Sequence, residues 1–115
     1  MRLAVLILIV LVALAGLTLA TLGWRRRRVP LAISSLHGLA GIAAIVLLIV
    51  LDTHLPHDRA LIVATVLFML AATGGLMLFA FRAAHQTLPS AIVVLHGGFA
   101  VVALIVMLIG YVYTG

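Results

Sequence analysis

Four apolar runs dominate this chain: Leu3 to Leu22, Val29 to Leu51, Ala60 to Phe81, and Leu88 to Val112. A run of about 18 or more apolar residues marks a helix that crosses a membrane. At about 1.5 Å rise per residue, each run covers a hydrocarbon core roughly 30 Å thick. The connections are short, so neighbouring helices must run antiparallel. The pattern therefore predicts an all-α fold, an integral membrane four-helix bundle, with residues 1–115 forming one domain. Of the 115 residues, 67% are hydrophobic, and no soluble fold of this size has the interior to hide that much apolar surface.

Only seven basic and two acidic side chains interrupt the apolar background. Four of them form one block, Arg25-Arg26-Arg27-Arg28, between the first two runs. Clustered arginine holds a loop in the cytoplasm, and Arg82 and His85 fall in a connection on the same side. The connection between the second and third runs, Asp52 to Arg59, carries two acids against one arginine and is assigned to the outside. This places the chain in a bacterial inner membrane with both termini outside the cytoplasm. Arg2 is the single charge that opposes the assignment. The block also argues against reading the first run as a cleaved leader, because it sits where a topology anchor belongs. The basic balance points to anionic lipid rather than nucleic acid.

Sliding the chain along itself by 59 residues, without a gap, brings Pro30 onto Pro89, His37 onto His96 and Gly38 onto Gly97. Gly16 falls on Gly75 in the other helix of each pair. Thirteen of 56 aligned pairs are identical, and they include the scarce residue types proline, histidine and glycine. The reading is an internal duplication, with hairpin repeats 1–56 and 60–115 in the same orientation. Their relating axis would run along the membrane normal. Two histidines and two glycines then share one layer, one residue per helix, roughly 12 Å from the cytoplasmic ends. Beyond them, at helical spacing, lie Gly41, Ala44 and Leu48, and Ala100, Ala103 and Met107. Such small faces permit either close helix approach or a cavity for a flat ligand.

An ionisable side chain inside a membrane span is a functional candidate by default. Neutral imidazole is a good metal ligand and a common axial ligand of haem iron. The same rings can also hydrogen-bond to a backbone carbonyl or to the hydroxyls of Ser34, Ser35, Thr18 or Thr73. His54 and His57 sit in the outer connection beside Asp52 and Asp58, a spacing that suits a divalent metal or, more simply, a solvated loop. No thiolate chemistry is open to a chain without cysteine. No set of nucleophile, base and acid lies within the runs, so the residues do not describe a stand-alone enzyme.

With His37 and His96 on the second and fourth helices, and Gly16 and Gly75 on the first and third, the layout resembles the four-helix core of the cytochrome b family. The resemblance implies one haem b with His37 and His96 as axial ligands of the iron. It also implies that Gly16 and Gly75, helped by Gly38 and Gly97, shape the pocket. The family's usual second histidine pair is missing, since positions such as Leu51 and Gly110 are apolar. The expected role is a subunit passing electrons between the quinone pool and a larger membrane redox complex. Two rivals remain: a non-catalytic accessory subunit whose histidines hydrogen-bond between helices, and a binder of quinone or another apolar ligand.

Overall fold

The computed structural model describes residues 1–114; Gly115, the outward terminus in the sequence reading, lies outside the described residues. Four helices account for nearly all of it: α1 (Arg2–Trp24), α2 (Leu31–His54), α3 (Arg59–Ala83) and α4 (Ser90–Thr114). All four are long and apolar enough to span a membrane. Their length follows from composition. Each helix is apolar round its whole circumference, which suits lipid rather than a surface-lying helix. Residues such as Leu36, Val94 and Leu17 accordingly point outward, 69%, 70% and 64% exposed. The bundle measures 43 × 22 × 19 Å, so its long axis exceeds a hydrocarbon core of about 30 Å.

The helices form a ring in which α1 meets α2, α2 meets α3, α3 meets α4, and α4 closes on α1. α1 faces α3, and α2 faces α4, across the diagonals. Helices α2 and α4 begin two residues later than their apolar runs. Pro30 is the N-cap of α2, in extended conformation, and Pro89 precedes α4. Proline disfavours helical backbone in the residue before it, so Val29 and Leu88 stay outside.

Both arginine-end turns have the same backbone. Arg27 N–H donates to the Leu22 carbonyl at 3.0 Å, and Gln86 N–H to the Phe81 carbonyl at 2.9 Å. Inside these, Arg26 N–H reaches Gly23, and His85 N–H reaches Arg82, both at 3.1 Å. This is the Schellman pattern of helix ends, and it requires a left-handed residue. Arg26 (φ 52°) and His85 (φ 54°) occupy that position, where glycine is usual. Each partner in one turn lies 59 residues from its counterpart in the other.

At the opposite end, α2 runs through Asp52 to His54, so the connection to α3 is only Leu55 to Asp58. Asp58 caps α3, accepting the Leu61 N–H at 3.0 Å. The same carboxylate pairs with Arg2 and ties the start of α1 to the start of α3. Arg2 is thus paired with an acid at this end of the bundle. Gly110 lets α4 come against α3 there, because a Cβ at Gly110 would lie 2.6 Å from that of Ala60.

The closely packed core is confined to this acidic half. Val5, Leu6, Ile9, Ala44, Leu48, Leu51, Leu61, Ala64 and Met107 form one buried cluster. On the arginine side of the histidine layer, no described residue is fully buried. Leu51 and Gly110, where a second histidine pair would fall, are both buried in the packed half.

Candidate functional site

His37 is the seventh residue of α2 and His96 the seventh of α4, so each lies about 9 Å into its helix. The helices are diagonal partners, yet the rings meet inside the bundle. Their centroids are 6.2 Å apart and their planes are nearly perpendicular, at 86°. The structure therefore brings together the two histidines that the sequence singles out, at one depth.

Each ring rests on a glycine of its own hairpin partner. A Cβ on Gly16 would sit 2.9 Å from His37 Cε1. A Cβ on Gly75 would sit 3.0 Å from His96 Cε1 and 3.2 Å from its Nδ1. The glycines thus make room for the imidazoles themselves. They also expose backbone. In a helix the carbonyl of residue i lies beside residue i+4, and a glycine there leaves the oxygen reachable from the side. His96 Nδ1 uses this opening and donates to the Ala71 carbonyl, four residues before Gly75, at 2.7 Å. A carbonyl only accepts, so Nδ1 must carry the proton, and the neutral ring keeps its lone pair on Nε2. That tautomer is the one a metal-ligating histidine takes when a carbonyl orients it.

His37 faces the corresponding carbonyl, Val12, four residues before Gly16. Its Nδ1 is buried without a partner in bonding geometry. The helix contacts beside the two rings differ as well. At Gly74 a Cβ would lie 3.3 Å from His96 Cβ and 3.6 Å from His96 Cα, so the α4 backbone lies directly on α3. In α1 the corresponding residue is Ala15. The three atoms nearest a Cβ on Gly16 are all ring atoms of His37, with no backbone atom of α2 among them.

The hydroxyls considered as histidine partners are engaged elsewhere or unpaired. Thr18, Ser35 and Thr73 bond to carbonyls of their own helices, at Leu14, Leu31 and Met69. Ser34 Oγ is buried and has no partner. It lies three residues before His37, on the same face of α2. Two unpaired polar atoms thus flank the histidine layer, in a setting where each such group costs about 1–3 kcal/mol.

Gly38 and Gly97 stand apart from the layer, since a Cβ on either would meet nothing within 4 Å. One residue is about 100° of helix rotation, which turns both away from the histidine face. His54, His57 and His85 are exposed. Among the described residues no cluster of three or more His, Asp or Glu side chains is placed to hold a bare metal ion. On the outer side of α1, an open groove of about 530 Å³ runs along Leu17, Thr18, Thr21 and Leu22 to Arg25 and Arg27, apart from the histidine layer.

In ring separation, the pair meets the span of a bis-imidazole metal centre. Two metal–nitrogen bonds of about 2 Å, with each ring centre roughly 1 Å beyond its nitrogen, separate the centroids by roughly 6 Å. The 6.2 Å found here matches that span. Compared with family models, curated proteins and solved structures, the chain matches none.

Proposed function

We propose that this protein is a small b-type membrane cytochrome holding one haem b between His37 and His96. The observation that carries the reading is the pair of imidazoles meeting across the bundle, one of them fixed by Ala71 in the tautomer that frees Nε2. Haem supplies reversible one-electron exchange at iron when two imidazoles ligate it. In this chain His37 and His96 bind, the Ala71 carbonyl orients, and Gly16 and Gly75 give the rings their place. The arginine block, Arg25 to Arg28, on the membrane face nearer the histidines, would offer cationic surroundings for the two propionates. The partners in this reading are the lipid bilayer, the quinone pool and a larger membrane redox complex. The arginine end faces the cytoplasm of a bacterial cell, with both termini outside.

The proposal includes an origin by duplication into tandem hairpins. Supporting it are the matched left-handed turns at Arg26 and His85 and the matched ring–glycine contacts. Residues buried in pairs 59 apart, such as Ala44 with Ala103 and Leu48 with Met107, point the same way.

The test is colour. Protein purified after expression with ample haem should show a Soret band that shifts on reduction with dithionite. Replacing His37 or His96 with alanine should lower haem retention, whereas replacing His54, His57 or His85 should not. A colourless wild-type preparation would overturn the reading. The bond from His96 to Ala71 also favours a second reading, an accessory subunit stitched together by interhelical histidine bonds. That protein would lack pigment in every variant and would lose only about 1 kcal/mol on removal of a histidine.

A further inference from the structure

The two histidines are held unequally. His96 is fixed by the 2.7 Å bond to Ala71 and by backbone packed against Gly74. His37 faces the Val12 carbonyl, but its Nδ1 makes no bond to it in normal hydrogen-bonding geometry. A ligating histidine whose second nitrogen donates to an acceptor is oriented and made more basic, and loss of that partner typically weakens metal affinity about 10–100-fold. Ser34 Oγ, one turn from His37 on the same face, is the other buried polar atom beside the layer that has nothing to bond. Helix α4 offers no such atom among the described residues. Imbalance and unmet hydrogen-bonding capacity therefore fall on the same side of the site.

Resting on the haem reading, we infer that His37 is an exchangeable ligand and His96 the permanent one. The His37 side of the iron then takes a small neutral diatomic molecule, for which carbon monoxide is the probe. The exchange is balanced without redox change. With ferrous haem bound, His37 Nε2 would be the donor that gives up its place, and the carbon lone pair of carbon monoxide would take it. His37 leaves as neutral imidazole, no proton is required, and no electron is transferred. The ring stays on α2 beside the Val12 carbonyl, and the Ser34 hydroxyl becomes the polar group nearest in sequence to the incoming ligand.

The experiment is a carbon monoxide titration of the dithionite-reduced, haem-loaded protein in detergent, followed by its Soret difference spectrum. Wild type should bind. His37→Ala should retain roughly ten times more haem than His96→Ala and bind carbon monoxide without competition. Ser34→Ala should shift the carbon monoxide stretching frequency. Pigmented wild type inert to carbon monoxide, with equal haem loss from both histidine variants, overturns this inference and leaves the bis-histidine reading standing. Equal haem loss from the two histidine variants also overturns it. A colourless wild type ends both readings.

Discussion

Gly75→Ala and Gly16→Ala add the same methyl group at corresponding positions, yet the structure assigns them different costs. At Gly75 the new Cβ would lie 3.0 Å from His96 Cε1 and 3.2 Å from Nδ1. That ring cannot retreat, because Ala71 holds it at 2.7 Å and Gly74 keeps the α4 backbone against α3. Overpacking of this kind costs about 1–3 kcal/mol, and a lost interhelical hydrogen bond adds roughly 0.6 kcal/mol. Replacing glycine by alanine inside a helix returns about 0.5–1 kcal/mol. The net for Gly75→Ala is a loss of about 0.6–3 kcal/mol. At Gly16 the contact is shorter, 2.9 Å to His37 Cε1, but no hydrogen bond in bonding geometry fixes that ring. It can turn aside, so the overpacking falls to the low end, about 1 kcal/mol, and the helix gain offsets most of it. Equilibrium unfolding in mixed micelles, reported by Trp24 fluorescence and circular dichroism, measures both. Equal losses, or a larger loss for Gly16→Ala, would refute the claim that the two rings are held differently.

Other expectations concern the two ends of the bundle. Arg26→Gly and His85→Gly each relieve a left-handed residue in a Schellman turn, and each should stabilise the bundle by about 1 kcal/mol in the same unfolding assay. Gly110→Leu should destabilise by about 1–3 kcal/mol, since Ala60 already stands where its Cβ would go. Lying 14 residues from His96, roughly 20 Å along α4, it should leave any Soret band unmoved. Asp58→Asn keeps a capping oxygen for α3 but loses the charge facing Arg2, whereas Asp58→Ala loses both; the alanine variant should be less stable by about 1 kcal/mol. Single cysteines placed at Arg27 and at His57 should label from opposite sides of the membrane, with Arg27 protected in intact cells. The reverse pattern would overturn the proposed orientation.

The four helices and the inward face of two of them were legible in the sequence for simple reasons. Span length is a property of apolar run length, and Ala44, Leu48, Ala103 and Met107 recur at helical spacing from the histidines. All four are buried. The layer itself was legible because histidine and proline are scarce in such a chain. The bonding partner of His96 was not, because a carbonyl belongs to every residue and carries no letter. Its trace in the sequence is indirect: a glycine four residues later. The hydroxyl partners were over-read for a related reason, since serine and threonine in membrane helices readily bond to their own helix. Gly38 and Gly97 drew notice by repeating beside the histidines, but adjacency in sequence is not adjacency on a helix. The inequality of the two hairpins, α4 lying directly on α3 at Gly74, goes with differences at many matched positions, such as Val12 against Ala71 and Ala15 against Gly74, which periodicity does not register.

Because burial is concentrated at the acidic end, the bundle behaves as tweezers gripped at one end. Arg2 with Asp58, Ala60 with Gly110 and the leucine-rich cluster hold the tips of the hairpins together. The arginine ends have no comparable clasp. Transient parting of the helices should therefore start at the Arg25–Arg28 and His85 turns and die out near Ala44 and Ala103. Backbone amides should exchange along that gradient, fastest below the histidines and slowest above them. A guest destined for the histidine layer can then enter after the chain is already inserted, from the arginine side, without the grip being released.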